Sequence, residues 1–549
     1  MSRIALIIVY GMLALGHLRC SMQVADATGG SETTNGITAC ANRTDGTPAA
    51  GATVRLRRSD YVAPLPSLAK TAIYGADAVT DSSGRFEITG IDPGSYRIEV
   101  RDAQSSVLFA CSLDVRDTVN LGADTLRPFA TITGTIDTAG RAGQQLYVQV
   151  EGLERIAAVG MAGRFALSDL PAGTFAVRAA TTNDTTVAVS SGISVGPGAQ
   201  TTVTVPSGWR FSKRLYINTT VTGANVAENV TNFPLLIRLD SSTLASASTF
   251  FSQSADSGQD VRFVKSDATP LPYEIEQWDQ AARTAAIWVK MDTVYGNSSG
   301  QFFSMMWGSS ASSAPVSMSS GAPVFDTADG FGGVWHLGDS PVSGSYSVMD
   351  ATGYGGDGQP QGQVSAAQGA IGAALSFGGT DGMVLAPHTH GMDFGTGDIT
   401  FSAWVKTKQT SQGILTSTWN PRVITLMIGN QGGAQCGIRD IATGWNEREN
   451  SARVNDNAWH HVAAVFSRNG FAKTYTDGVA GDSVDIRSKA GTDFDSSWVR
   501  IGYNDFDTSS HFIGAIDEAR VERTSRSSSW LRLSAESQKP GSRCVRSDP

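Results

Sequence analysis

Glu274-Ile275-Glu276-Gln277-Trp278-Asp279 places two glutamates two residues apart and an aspartate three further on. On a strand, residues i and i+2 share a face about 6.5–7 Å apart, and a bulge can bring residue i+5 round to join them. Two carboxyls about 5–5.5 Å apart are what a retaining glycosidase requires, so Glu274 and Glu276 are the candidates for glycan cleavage. A strand with solvated carboxylates explains the same residues without chemistry, and the reading adopted is that no residue is catalytic. His388 and His390 face one side of the chain two residues apart, a geometry that holds zinc only with a third ligand, and the sequence shows none. His460-His461 falls in an alternating segment, which sends one imidazole to the core and the other to the surface. No Ser, His and Asp set suggests a triad, and no C-x-x-C spacing suggests a zinc or redox motif.

The elements around these residues read as strands. Ala286 to Met291, Ile399 to Val405 and Trp459 to Phe466 alternate apolar with small or polar side chains. Tyr475-Thr476-Asp477-Gly478-Val479-Ala480 carries the Asp-Gly turn that joins antiparallel strands. Gly84-Arg85-Phe86-Glu87-Ile88 recurs 79 residues later as Gly163-Arg164-Phe165-Ala166-Leu167, and in each copy a Pro/Gly turn separates two alternating strands. The chain has 549 residues, 60 of them glycine, which fits several turn-rich β domains because single cores stop growing near ~250–300 residues. The fold class is therefore all-β. A net charge of −9 spread along the chain excludes the clustered basic surface that nucleic acid demands.

The series Phe401-Ser402-Ala403-Trp404, Trp459-His460-His461-Val462, Tyr475-Thr476-Asp477-Gly478 and Phe512-Ile513-Gly514-Ala515-Ile516-Asp517-Glu518 resembles a laminin-G-like, concanavalin A-type jelly roll. That resemblance implies a late strand through Asp517 and a short helix near Ser527 to Ser537, docked by Trp530, Leu531 and Leu533. Phe233-Pro234-Leu235, Gly258-Gln259-Asp260, Leu271-Pro272-Tyr273-Glu274-Ile275-Glu276, Ile287-Trp288-Val289 and Trp307-Gly308 follow the order of DUF2341, a bacterial domain of unknown function, across the whole segment. The 79-residue repeat resembles carboxypeptidase regulatory-like sandwiches, read as a stalk. The expected organisation is an export signal at 1–27, regulatory-like sandwiches at 37–127 and 128–206, DUF2341 at 207–325 and the jelly roll at 326–540. Trp335 either lies at the last junction or begins the jelly roll.

The jelly-roll resemblance also implies a calcium site, with Asp350 and Asp517 as ligands, and carbohydrate binding on aromatic platforms. Trp419 and Trp445 are the expected sugar contacts because their surroundings read as polar loops. Trp404 and Trp459, inside strand motifs, are expected in the core. Arg3 precedes an apolar run from Ile4 to Gly16, the pattern of an export signal rather than of a membrane span. Two processing readings stay open, an A-x-A site at Ala25-Asp26-Ala27 and a lipid anchor at Cys20. Four further cysteines allow three pairings. Cys40 with Cys111 is favoured, since both fall on strands of one small domain and export lets a bridge persist. The expectation is a secreted or cell-surface, non-catalytic binding or adhesion protein that meets a glycan or surface protein through the jelly roll. The alternatives are glycan cleavage by Glu274 and Glu276, and a structural envelope component without a small ligand.

Overall fold

The structure is a computed structural model that describes residues 35–547, apart from 67–74, 114–117, 137, 139–142, 183–185, 206–208, 242, 245–246, 266–268, 310–318, 420–421, 496–497 and 505–509. The export signal, the A-x-A site and Cys20 lie outside the described residues. Among the described residues no helix is long and apolar enough to cross a membrane.

The repeated sequence gives repeated topology. In the first sandwich Gly36–Asn42 pairs antiparallel with Arg85–Thr89 and parallel with Thr118–Thr125. In the second, Ala130–Ile136 pairs antiparallel with Arg164–Leu170 and parallel with Gln200–Val205. Each three-stranded sheet closes over a second sheet, and alternation buries Ile37, Phe86, Ile88 and Ile98 in one copy and Ile132, Phe165, Leu167 and Val177 in the other. Cys40 is half-buried on Gly36–Asn42, and half-buried Cys111, on Ser105–Leu113, packs against the first core. The two sandwiches meet through a buried pair, Arg155 Nη2 to Glu99 Oε1 at 2.6 Å. The first sandwich also touches the third module, where the Tyr295 hydroxyl donates to Ser95 Oγ at 2.7 Å.

The third module sets a sheet of Arg262–Val264, Gln301–Ser309, Trp209–Ile217 and Val545–Ser547 against one of Val230–Leu239, Thr284–Val294 and Tyr273–Asp279. Its last strand arrives from beyond the jelly roll, since Val545–Ser547 pairs with Leu215 to Ile217. No local pattern announced that pairing. The jelly roll itself has an eight-stranded sheet centred on Ile513–Glu522 and Ile399–Lys406, and a seven-stranded sheet running from Gln359–Gln361 to Gly444–Arg453. Trp335 begins the jelly roll: Phe331–Trp335 pairs with the strand Ile513–Glu522, and the indole is fully buried in that core.

The expected helix forms at Ser528–Gln538, capped by Ser527 Oγ, which accepts from the Trp530 N–H. Trp530, Leu531 and Leu533 do dock it, and they dock it into the core of the third module, where Trp530 meets Phe233 edge-on at 4.9 Å. The two modules therefore share one apolar core. Trp404 is buried as expected, as are Tyr475 and Phe512 of the same motif series. Trp459 is only half-buried, because it precedes the strand His460–Phe466 instead of lying within it.

Candidate functional site

Two β-bulges aim carboxylates at one histidine. Tyr273–Asp279 pairs with Thr284–Val294 in regular register until Ile275, and the register resumes at Gln277, leaving Glu276 as the extra residue. Glu276 is turned inward, its side chain 6% exposed, and its Oε2 accepts from the indole N–H of Trp288 at 2.7 Å. Across the module boundary, the pairing of Ile513–Glu522 with Ile399–Lys406 shifts between Trp404 and Ser402, and Glu518 adopts φ +53°. That backbone breaks the alternation that would put Asp517 and Glu518 on opposite faces. His336, one residue past the strand Phe331–Trp335, stands between the two bulges.

His336 Nδ1 lies 2.6 Å from Glu518 Oε1 and 3.8 Å from Glu276 Oε2, while Nε2 lies 3.2 Å from Glu274 Oε2. The ring stacks on Trp288 with centroids 5.9 Å apart. Arg520 donates to Glu518 Oε2 at 2.7 Å, and Asp517 Oδ2 accepts from the Ile371 N–H at 2.9 Å. Burial and the neighbouring Glu518 push the Glu276 carboxyl up to about 8. Burial, with Glu518 and Glu276 beside it, raises Asp517 well above the carboxylate range. Burial acts on Glu518 in the same sense, but His336 and Arg520 together outweigh it and hold Glu518 low. His336 is raised well above the ordinary imidazole value, because Glu518 and Glu274 overcome the cost of burying its charge.

Glu274, Glu276 and His336 line a cleft of about 520 Å³ between the modules, together with Gln277, Asp339 and Thr352. The E-x-E-x-x-D trio itself does not assemble. Asp279 caps the following turn, accepting from the Ala282 N–H at 2.8 Å, and the bulge falls at Glu276 instead of swinging Asp279 round. Among the described residues, ligand atoms of Glu276, His336 and Glu518 lie within 4.8 Å of one another and could hold a metal ion. The sequence contained all three residues but no local signal joining them, since they lie on three segments far apart in the chain.

The expected calcium ligands are placed differently. Asp350 Oδ1 accepts from the N–H groups of Val334 and Thr352, and Oδ2 from the Thr352 hydroxyl and the Gly356 N–H, at 2.8–3.0 Å. Both oxygens are spent on organising the loop, so Asp350 does not fit a cation ligand. Asp517 belongs to the acidic centre. The third group absent from the sequence reading of His388 and His390 is Asp393, whose two oxygens meet the two imidazoles at 2.7 and 2.9 Å on an exposed surface. His461 is buried and His460 bonds Asp456 and Asp477 at the surface, in line with the alternation.

A second locus lies on the outer face of the seven-stranded sheet. Val499, Ser417, Ile424 and Ile438 form one cross-strand row, and its three aliphatic members sit in the jelly-roll core. The adjacent row, Trp498, Thr418, Val423, Arg439 and Trp445, lies on the opposite face, where Thr418 and Val423 are buried and the two indoles at its ends are partly exposed. Trp445 is 38% exposed and Trp498 37%. Gly437 makes room for the first indole, since a Cβ there would stand 3.0 Å from its ring. Trp445 thus lies on a strand and not in a loop, yet is exposed as expected. Trp419 ends the strand Gln412–Trp419 opposite Arg422, and its side chain lies outside the described residues. Trp498 went unremarked in the sequence, although Trp498-Val499-Arg500-Ile501 alternates and so puts the indole opposite the core face.

Residues 377–532 match the family described as the concanavalin A-like lectin/glucanases superfamily. Residues 257–338 match DUF2341, a domain of unknown function, a narrower span than the segment 207–325 but one that includes Glu274, Glu276 and His336. The acidic centre thus draws on both matched spans, Asp517 and Glu518 falling in the first and Glu274, Glu276 and His336 in the second. Among solved structures, the chain resembles the binding domain of Paraclostridial Mosquitocidal Protein 1, with 14% identity over 37% of this chain and 52% of that one and a TM-score of 0.31. The receptor binding domain of botulinum neurotoxin C/D mosaic serotype gives 14% identity over 38% and 52%, with a TM-score of 0.32. Domain 4 of AbnA, a GH43 extracellular arabinanase from Geobacillus stearothermophilus, in complex with arabinotriose, gives 22% over 37% and 97%, with a TM-score of 0.30. The chain spans about half the length of the two toxin domains. A search of curated proteins finds no match.

Proposed function

We propose that the chain is an exported, non-catalytic binding protein that recognises carbohydrate through the outer face of its seven-stranded sheet. The observation that carries this is the pair of half-exposed indoles, Trp498 and Trp445, at the two ends of a row whose middle members Thr418 and Val423 are buried and which also carries Arg439. Four strand spacings separate the indoles, about 19 Å, a span suited to an oligosaccharide and not to a single sugar. Arg500, one row along, donates to Thr418 Oγ1 at 2.7 Å and adds a fixed polar group beside the platform. Apolar ring faces with a few placed polar groups are what sugar recognition uses.

Glycan cleavage by Glu274 and Glu276 is supported by their shared cleft, but Glu276 Oε2 is committed to Trp288 and Glu274 Oε2 to His336. That geometry favours binding over hydrolysis. The test is a glycan array probed with the whole chain, alongside reducing-end release from every glycan that binds. Binding that weakens in Trp445→Ala, with no reducing ends released, supports the proposal; sugar release that disappears in Glu276→Gln replaces it.

A further inference from the structure

Four carboxyl groups converge where the third module meets the jelly roll: Glu274, Glu276, Asp517 and Glu518. The protein supplies donors for most of their oxygens. Glu518 Oε2 has Arg520, Glu276 Oε2 has Trp288 and Asp517 Oδ2 has the Ile371 N–H. Among the described residues two oxygens have no donor, Glu276 Oε1 and Asp517 Oδ1, on side chains that are 6% and 0% exposed. Arg238, part-buried nearby, donates to the carbonyls of Ala370 and Gln538. Buried carboxylate oxygens without a partner are costly and are found where something other than the protein completes the site.

We propose that Glu276, His336 and Glu518 bind a divalent transition-metal ion of the zinc class, with its open coordination position facing the cleft between the modules. The donor set is one imidazole and two carboxylates, which suits zinc and its neighbours better than calcium or magnesium, whose ligands are oxygen. Three protein ligands with a fourth position toward a cleft of about 520 Å³ make an open site, not a closed structural one. The surrounding groups are those that orient metal ligands. Glu274 accepts from Nε2 of His336 and fixes Nδ1 as the ligating nitrogen, while Arg520 and Trp288 hold the outer sides of Glu518 and Glu276. The ion replaces the proton between His336 Nδ1 and Glu518 Oε1, which now lie 2.6 Å apart, and that proton leaves to solvent. Glu276 comes from the third module, and His336 and Glu518 from the jelly roll, so the ion also ties the two modules together.

The experiment uses the whole chain, stripped with chelator and titrated with Zn²⁺ alone by calorimetry, and with Co²⁺ alone while its visible absorption is followed. One equivalent should bind, with the intense visible bands of a low-symmetry Co²⁺ site, and with a rise in the unfolding temperature. His336→Gln should abolish uptake, and Glu274→Gln should weaken it about 10–100-fold. His390→Asn removes a ligand from the exposed His388, Asp393 and His390 group and should leave uptake unchanged. Absence of stoichiometric binding by the wild type overturns the proposal and leaves the centre as a proton-sharing network. Loss of uptake in His390→Asn but not in His336→Gln also overturns it and moves the metal to the surface. The Co²⁺ spectrum of the wild type decides the matter even where a variant fails to fold.

Discussion

Replacing Trp445 with alanine should weaken glycan binding by an amount the structure sets. An indole residue offers about 250 Å², and Trp445 is 38% exposed, so about 95 Å² faces solvent before a ligand arrives. A sugar ring stacked on one face covers roughly half of that. At ~25 cal/mol/Å² the lost contact is about 1.2 kcal/mol, or about eightfold in Kd. Trp498, at 37%, should cost the same. Because the two stand about 19 Å apart, their effects should add, giving about 2.4 kcal/mol and roughly 60-fold for the double variant. Calorimetric titration with the best oligosaccharide from the array measures all three, and unfolding temperatures within a few degrees of wild type show that the sheet is intact. Unchanged affinity in either single variant refutes the platform. A double variant no weaker than one single variant would show that the ligand touches only one indole, and the row would then not be the recognition unit.

Other outcomes follow from the core and the module boundary. Burial, with Arg520 adding to it, depresses the His461 imidazole to about 4, so below the usual value of 6.5 the unfolded chain binds a proton that the folded chain refuses. Its stabilising contribution is full above about pH 6.5 and is lost as pH falls toward 4, about 3 kcal/mol by linkage; denaturant titrations at pH 7 and 4 should show that loss in wild type and not in His461→Phe. Gly478 has φ +72°, and a Cβ there would stand 2.7 Å from Arg532 Cα, whereas Gly46, at φ +83°, has nothing within 4 Å. Gly478→Ala should therefore lower stability by at least about 1 kcal/mol more than Gly46→Ala, and equal losses would mean that the hairpin does not press on the helix Ser528–Gln538. Ending the chain after Lys539 removes Cys544 from the shared core and Val545–Ser547 from the sheet of the third module. About 3 kcal/mol should go with them, read as a drop in the unfolding midpoint of the third module.

Period-two alternation made the strands of the small sandwiches legible because their sheets have one wet face and one dry one, whereas Ile399–Lys406 and His460–Phe466 are buried on both faces; the Asp477-Gly478 turn fixed its hairpin through backbone preference alone. Alternation also separated His460 from His461, but it put Trp404 opposite Phe401 and Ala403, on the face that the helix Ser528–Gln538 covers. It failed where the backbone departs from it. Glu276 and Glu518 both sit on bulges, one of them with φ +53°, and a bulge is invisible to alternation because it changes which face the next side chain takes. Strict alternation would have kept Asp517 and Glu518 apart; the bulge lets both enter one buried centre. At Asp350 the sequence is ambiguous for a related reason. A turn aspartate that ligates a cation and one that accepts four protein hydrogen bonds have the same sequence signature, and only the positions of Val334, Thr352 and Gly356 separate them. Long-range assembly was the other gap. Trp530, Leu531 and Leu533 were readable as a docking face, but nothing local says that the surface they meet belongs to the preceding module. The acidic centre depends on that docking, since it needs Glu276 from one module and Glu518 from the other within reach of His336. A change that loosens the helix Ser528–Gln538 should therefore disturb the centre without touching any of its residues.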